Sequence, residues 1–191
     1  YSNNHNNYTL AKISLRNKIS EDIFMFEMIN SIFIYSENYN ELIESYNGSL
    51  TYQQKTIIRD FIKENIESDK YELRNNWFFE KISGEFYLFR LYKYEGIYIG
   101  AWSNARELLI PMNLIDIGKE GTTVLTNEQG LPMVNQKLIY QNKINLNHSL
   151  DQYFIDGKEE EFLIVGQESS TGNFSLIALI PSDKILENLP Y

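Results

Sequence analysis

The chain has 191 residues, 43% of them hydrophobic, enough to bury the core of one large domain or two small ones. Its formal net charge is −9, with 17 Lys and Arg scattered among 26 Asp and Glu, so a phosphate backbone would meet repulsion and nucleic acid is excluded as a partner. The absence of cysteine excludes a disulfide frame, a thiolate metal site and a cysteine nucleophile.

Tyr1 stands where a start Met would, and Tyr191 follows Leu189-Pro190, which reads as a piece of a longer protein. No apolar run reaches the ~20 residues of a membrane helix, so any anchor is expected outside the segment. Over 8–28 the apolar residues Leu15, Ile19, Ile23 and Phe26 recur at helical spacing and predict a long N-terminal helix whose stripe either pairs with a second copy in the intact receptor or packs on its own domain. Residues 29–35 switch to β-branched and aromatic types, and the polar run 36–40 supplies a turn into a second strand over 41–46, stopped by Asn47-Gly48. Ser49 or Thr51 caps a helix carrying Ile57, Ile58, Phe61 and Ile62, which fades into the polar stretch 67–70. Three strands are expected over 77–82, 86–92 and 97–102, joined by Ser83-Gly84 and by Tyr94-Glu95-Gly96 as an antiparallel meander.

The second half repeats this grammar. Glu85-Phe86 and Gly96-Ile97 return, at one constant offset, as Glu161-Phe162 and Gly172-Asn173. Each pair of strands leads into a short helix, marked by Leu108-Leu109 and by Ile185-Leu186. Upstream, Val124 through Gly130 mirrors the first strand and its turn, continuing into Leu131-Pro132-Met133-Val134. Two related α+β units are predicted, and the second lacks a counterpart of the helix around Ile57–Ile66. The expected divisions are 1–28 as a stalk helix, 29–109 as the first unit, 110–118 as a connector broken by Pro111, 119–186 as the second unit and 187–191 as the end of the segment.

Chemistry-bearing residues are sparse. His5 and His148 each lack a second ligand at helical spacing, and Glu159-Glu160-Glu161 alternates faces on a strand and reads as solvated. No nucleophile elbow, phosphate loop or dinucleotide fingerprint occurs, so neither a cofactor nor a catalytic residue is assigned. A secreted glycosidase would need paired carboxylates that the sequence does not point out, and a surface domain reading a protein partner is the other alternative. Arg90 lies within an otherwise apolar strand. It is either a buried anchor for a polar ligand or a packed stem whose head reaches solvent or a carboxylate such as Glu80.

The order of elements resembles the double Cache family of extracellular PAS-like sensor domains. Asn76-Trp77-Phe78, Tyr98-Ile99-Gly100-Ala101-Trp102, Leu114-Ile115-Asp116-Ile117-Gly118, Ala178-Leu179-Ile180-Pro181 and Ile185-Leu186-Glu187-Asn188-Leu189-Pro190 are similar to the sensor regions of YesM-type bacterial histidine kinases. The resemblance implies an α+β fold, a long N-terminal helix followed by two tandem PAS-like units with antiparallel sheets. It implies a segment outside the bacterial membrane, between two membrane helices, in a homodimeric two-component receptor that reads a small molecule or a ligand-binding protein and signals to an AraC-type response regulator. Amino-acid-binding members carry an Arg before a Trp-aromatic pair, then a Tyr, then an Asp closing the last strand. Here Arg74 is one residue too far from Trp77-Phe78, and Trp102 stands in place of that Asp. Losing the carboxylate removes the charge-assisted bond that fixes an amino group, which turns the expectation toward a sugar or another neutral solute. The ligand site is therefore predicted in the first unit, at Arg74, Trp77, Arg90, Tyr98 and Trp102. Trp102→Ala is expected to abolish binding in a folded protein. The second unit, with strands such as Phe162-Leu163-Ile164-Val165, is expected to leave no polar group to orient a ligand and so to transmit.

Overall fold

The computed structural model describes residues 2–66, 76–146, 153–158 and 160–187. Arg74, His148 and Glu159 lie outside them. The chain divides into two compact units, residues 1–76 with 80–104 and residues 77–79 with 105–191.

In the first unit, helix α1 (Ser2–Asp22) runs into a 3-10 turn over Ile23–Met25. Its inner side is narrower than the predicted stripe. Ile19 and Ile23 are buried, whereas Leu15 is exposed on the helix and Phe26 is exposed beyond its end, where the chain turns away. Further up, Lys12 and the Tyr8 hydroxyl both donate to Glu41 at the head of β2 (Glu41–Tyr46), and the Tyr8 ring stacks on Tyr39 at 4.2 Å. Hydrogen bonding to the Glu41 carboxylate, with burial second, pushes the Tyr8 hydroxyl up to about 12.

Strand β1 (Ser31–Ser36) pairs with β2 and with β5 (Ile97–Asn104), and β4 (Glu85–Tyr94) and β3 (Phe78–Ile82) complete a sheet of order β2-β1-β5-β4-β3. Two tight turns fix the meander. Ser83-Gly84 and Glu95-Gly96 all have positive φ, 51°, 89°, 47° and 75°, the conformation whose twist matches that of the flanking strands. Helix α2 (Tyr52–Asn65) opens on a capping box in which the Thr51 hydroxyl accepts from the Gln54 amide and Gln54 Oε1 accepts from the Thr51 amide. It buries Ile58 and Ile62.

The second unit repeats the plan. Strands β6 (Thr122–Asn127), β7 (Pro132–Val134), β8 (Tyr153–Asp156), β9 (Glu161–Glu168) and β10 (Phe174–Pro181) form a sheet of order β7-β6-β10-β9-β8, the same order as in the first. Its core joins Val124, Phe162, Ile164, Ile177 and Leu179 to Ile139 of α3 (Gln136–Asn142). Helix α3 occupies the interval between second and third strands that α2 fills in the first unit, so the predicted lack of a counterpart does not hold. It escaped the sequence reading because it has only 7 residues, too few for periodicity to declare itself, and is bounded by left-handed Asn135 and Lys143 rather than by a capping side chain. The helix expected at Leu108-Leu109 is a 3-10 helix over Glu107–Leu114 containing Pro111, and helix α4 (Ser182–Glu187) ends the described chain.

Candidate functional site

Residues directly opposite one another in an antiparallel sheet share a face, so the register of the first sheet arranges its α2-covered side in rows. One row holds Tyr46, Ser31, Trp102 and Phe89; the next Glu44, Phe33, Gly100 and Leu91; the third Leu42, Tyr35, Tyr98 and Lys93. Gly100 is required here. A Cβ on it would fall 2.3 Å from Phe33 Cζ, so the Phe33 ring lies across the sheet where a side chain would stand.

The first two rows meet α2 through charge. Arg59 donates from Nε to Glu44 Oε2 at 2.6 Å and from Nη2 to the Tyr46 hydroxyl at 3.4 Å. Lys55 Nζ sits 4.7 Å from the centre of the Tyr46 ring, and Phe61 packs on Phe89 at 5.8 Å. The Glu44 side chain is only 3% exposed. Its hydrogen bond holds Arg59 above the ordinary guanidinium value, and burial, followed by the Glu44 charge, drives the Tyr46 hydroxyl well up, so Arg59 stays charged and Tyr46 neutral through the physiological range.

Trp102 stands beside the trio, enclosed by Tyr46, Tyr87 and Phe89 at ring separations of 6.5, 5.7 and 6.5 Å. Two buried side-chain atoms lack hydrogen-bond partners among the described residues, and both are in this cluster: Glu44 Oε1, an acceptor, and Trp102 Nε1, a donor. Each unmade bond costs about 1–3 kcal/mol, which marks the cluster as one that gains from a partner offering a donor and an acceptor.

The predicted residues fall apart by face and by unit. Trp102 and Tyr98 do share the α2-covered face, with Gly100 between them, but the Tyr98 hydroxyl is already spent on Glu37 at 2.8 Å, beside Lys93 at 3.0 Å from the same oxygen. Arg90 is exposed and its register partners Ala101 and Ile32 lie on the opposite face, so it is no buried anchor. Strand alternation gives Tyr87, Phe89 and Leu91 to the core and turns Arg90 outward. Trp77 groups with the second unit, where its backbone bridges to Gly172. Glu44, Tyr46 and Arg59 were missed, though Leu42, Glu44 and Tyr46 alternate on one strand face and Arg59 adjoins Ile58 on the inner side of α2.

The expectation for the second unit also changes. A cleft of about 630 Å³ opens where the β6–β7 turn approaches the β9–β10 connection, and polar residues from Thr126 to Gln129 and from Glu168 to Ser175 line it. The strand interiors are as apolar as expected; the polar groups belong to their ends. Among the described residues no group of His, Asp and Glu could hold a metal, and no helix is long and apolar enough to cross a membrane.

No protein-family model matches the sequence, and no curated protein sequence does. Solved structures do match in fold. The extracellular domain of rpHK1S-Z16, described as a histidine kinase, superposes with a TM-score of 0.56 at 11% identity, covering 92% of this chain and 80% of that one. The corresponding domain of mmHK1S-Z3 gives 0.56 at 8% identity over 92% and 81%. The ligand-binding domain of the Pseudomonas aeruginosa PAO1 amino acid chemoreceptor PctB, in complex with L-Arg, gives 0.51 at 9% over 91% and 74%. The α+β fold of two antiparallel sheets behind a long helix is thus the fold of such extracellular domains.

Proposed function

We propose that this chain is the extracellular ligand-sensing segment of a membrane receptor and that its first unit holds the ligand beneath α2. One observation carries the reading: an orphaned acceptor on Glu44 and an orphaned donor on Trp102, buried together among aromatic rings in a fold shared with extracellular receptor domains. The cluster pairs the Glu44 carboxylate with the Arg59 guanidinium and sets Lys55 over the Tyr46 ring, so charges of both signs surround the orphaned groups and a net charge on the ligand would be attracted by one and repelled by another. A small neutral solute with adjacent donor and acceptor groups, such as a sugar or polyol, meets both orphans without that conflict. Binding would fasten α2 to the sheet. To carry a two-state receptor from mostly off to mostly on, the ligand must favour one arrangement by ~5 kcal/mol.

The resemblance to YesM-type double Cache sensors supports a two-component histidine kinase as the receptor, with the second unit nearer the membrane and an AraC-type regulator downstream. Leu10 and Ile13, both more than half exposed on α1, offer apolar surface to a second copy in the homodimer.

A thermal-shift screen of monosaccharides, polyols and amino acids tests the reading, since a ligand bound only by the folded state raises the melting temperature. At least one neutral solute is expected to stabilise the protein, and Trp102→Phe and Glu44→Gln, which keep shape but change one orphaned group each, should weaken that effect. Stabilisation that both variants retain in full would remove the site from this cluster.

A further inference from the structure

We infer that the second unit has a ligand site of its own, separate from the one beneath α2, and that it takes an aliphatic diamine whose ammonium groups are held by Glu168 and Glu128. The cleft there, about 630 Å³, is within the range of roughly 300–1,000 Å³ that encloses a small ligand. Its floor is set by the register of the second sheet. Thr126, Ser175 and Glu168 are directly opposite one another and form one polar row, while the next row on that face holds Val124 and Ile177 of the core. None of the three polar side chains has a hydrogen-bond or ion-pair partner among the described residues. Thr126 is only 1% exposed and lines the cleft, so the access its hydroxyl keeps is to the cleft. A polar group so placed gains from a ligand that reaches it.

The second carboxylate is fixed on the rim before any ligand arrives. Asn173 Nδ2 donates to Glu128 Oε2 at 3.1 Å, and Gln129 Nε2 donates to the other Glu128 oxygen at 2.7 Å. Both donors are neutral amides, so they orient the carboxylate without balancing its charge, and a carboxylate has lone pairs beyond the two used here. The turn that carries Glu128 is itself ordered: Asn127 Oδ1 accepts from the amides of Gln129 at 3.0 Å and Leu131 at 2.9 Å, and Gly130, at φ 73°, closes it. A rim ordered in this way lowers the entropic cost of binding.

Charge then selects the ligand. No Lys, Arg or His among the described residues lines the cleft, so Glu128 and Glu168 stand there uncompensated, in a chain whose net charge is already −9. An anion is repelled, and a neutral polyol is offered hydrogen bonds alone. An ammonium group has three donors and no acceptor, and its bonds to a carboxylate are charge-assisted. Two carboxylates match two such groups, whereas an amino acid would bring a carboxylate of its own against one of them. The hydrocarbon chain of a diamine has apolar surface to lie on. Leu146 and Ile177 are buried in the lining, and the Phe174 ring crosses Gly172 so closely that a Cβ there would fall 2.5 Å from Cε1. That ring can also face a cation. A metal ion would leave the apolar surface unused, and no group of three His, Asp or Glu among the described residues is gathered to hold one.

The protein reports on the two units separately, because it has two tryptophans and Trp77 belongs to the second unit while Trp102 belongs to the first. The Trp77 Cβ lies 2.9 Å from where a Cβ on Gly172, a lining residue, would stand. In a 1H–15N spectrum of the whole chain, with the indole peaks assigned by the one that Trp77→Phe removes, putrescine and cadaverine are titrated in turn. Butylamine, 4-aminobutyrate, 1,4-butanediol and calcium chloride are the comparisons. At least one diamine should move the Trp77 peak saturably, with butylamine weaker and 4-aminobutyrate and 1,4-butanediol weaker still. Glu168→Gln and Glu128→Gln, which keep shape and remove one charge each, should each weaken the diamine about tenfold, the loss expected for one hydrogen bond involving a charged group. Glu161→Gln, an equal charge change at the other end of β9, should not. The inference is overturned if neither diamine moves the Trp77 peak or if the Glu168 and Glu128 variants bind as well as the parent. It is equally overturned if 4-aminobutyrate, 1,4-butanediol or calcium chloride binds as tightly as the diamines. Movement of the Trp102 peak alone would also overturn it, and would place the amine in the first unit instead.

Discussion

Trp102 has no exposed surface, and its ring is packed on three sides by Tyr46, Tyr87 and Phe89, yet its indole N–H has no acceptor among the described residues. The two properties separate under mutation. Trp102→Ala removes the whole ring from the core and should cost about 3–5 kcal/mol, which confounds a loss of binding with a loss of stability, so Trp102→Phe is the cleaner test of the site. The Phe variant retains a ring and deletes the unpaired donor. Urea denaturation should show Trp102→Ala shifted far below the parent and Trp102→Phe near it; equal losses would mean that the N–H has a partner after all. The sequence pointed to Trp102 through its place at the end of a strand, but it could not show Glu44 and Arg59 beside it. An ion pair between a strand and a helix 15 residues apart leaves no periodic trace, since each residue separately reads as an ordinary surface charge. Arg90 erred in the opposite direction. Its apolar neighbours in sequence face the other way, as every second residue on a strand must.

Among the elements, the meander of β3, β4 and β5 was legible because Ser83-Gly84 and Glu95-Gly96 are turn chemistry in sequence as well as in space, and α2 was legible through the cap candidates Ser49 and Thr51 and the spacing of Ile57, Ile58, Phe61 and Ile62. Helix α3 and strand β8 were not, being too short to show a period. Gly100 looks in sequence like a flaw in a strand and is instead where Phe33 crosses the sheet. Gly100→Ala should therefore destabilise by about 1–3 kcal/mol through overpacking, measured as a lower denaturation midpoint with unchanged slope. The elements are also tied at their ends by carboxylates. Glu37, after β1, is held below the usual carboxylate range by hydrogen bonds from Lys93 and then Tyr98, and Glu41 by Lys12 and then Tyr8. Because these folded-state values are lowered, the stabilisation is complete above the ordinary glutamate value of 4.5 and fades as pH falls through the folded values. The melting temperature should thus decline below about pH 4.5, and Glu37→Gln should decline less steeply over that window while starting lower at neutral pH. An unchanged acid slope in Glu37→Gln would show that the tie contributes nothing.

At the scale of the molecule, the constant offset between halves was the most informative feature of the sequence, and the two sheets repeat one strand order, β2-β1-β5-β4-β3 and β7-β6-β10-β9-β8. What the offset could not convey is that the halves diverge in what their strands carry: one unit sets the buried Glu44 against the partly exposed Arg59 of a helix, and the other opens a polar cleft at its strand ends. Each unit also builds its own core: Phe33, Leu88, Phe89 and Trp102 in the first, Val124, Phe162, Ile177 and Leu179 in the second. A cavity made in one core removes contacts from that core alone, so its cost should appear first in that unit. Leu179 is fully buried, and Leu179→Ala should destabilise the second unit by about 2–5 kcal/mol. With the two indole peaks followed through a urea titration, the Trp77 peak should lose its native position at lower urea than in the parent, while the Trp102 peak keeps the parent midpoint. Ile58→Ala, a cavity beneath α2, should reverse the pattern. If both peaks shift together in both variants, the duplicated units fold as one cooperative body and the two cores are coupled.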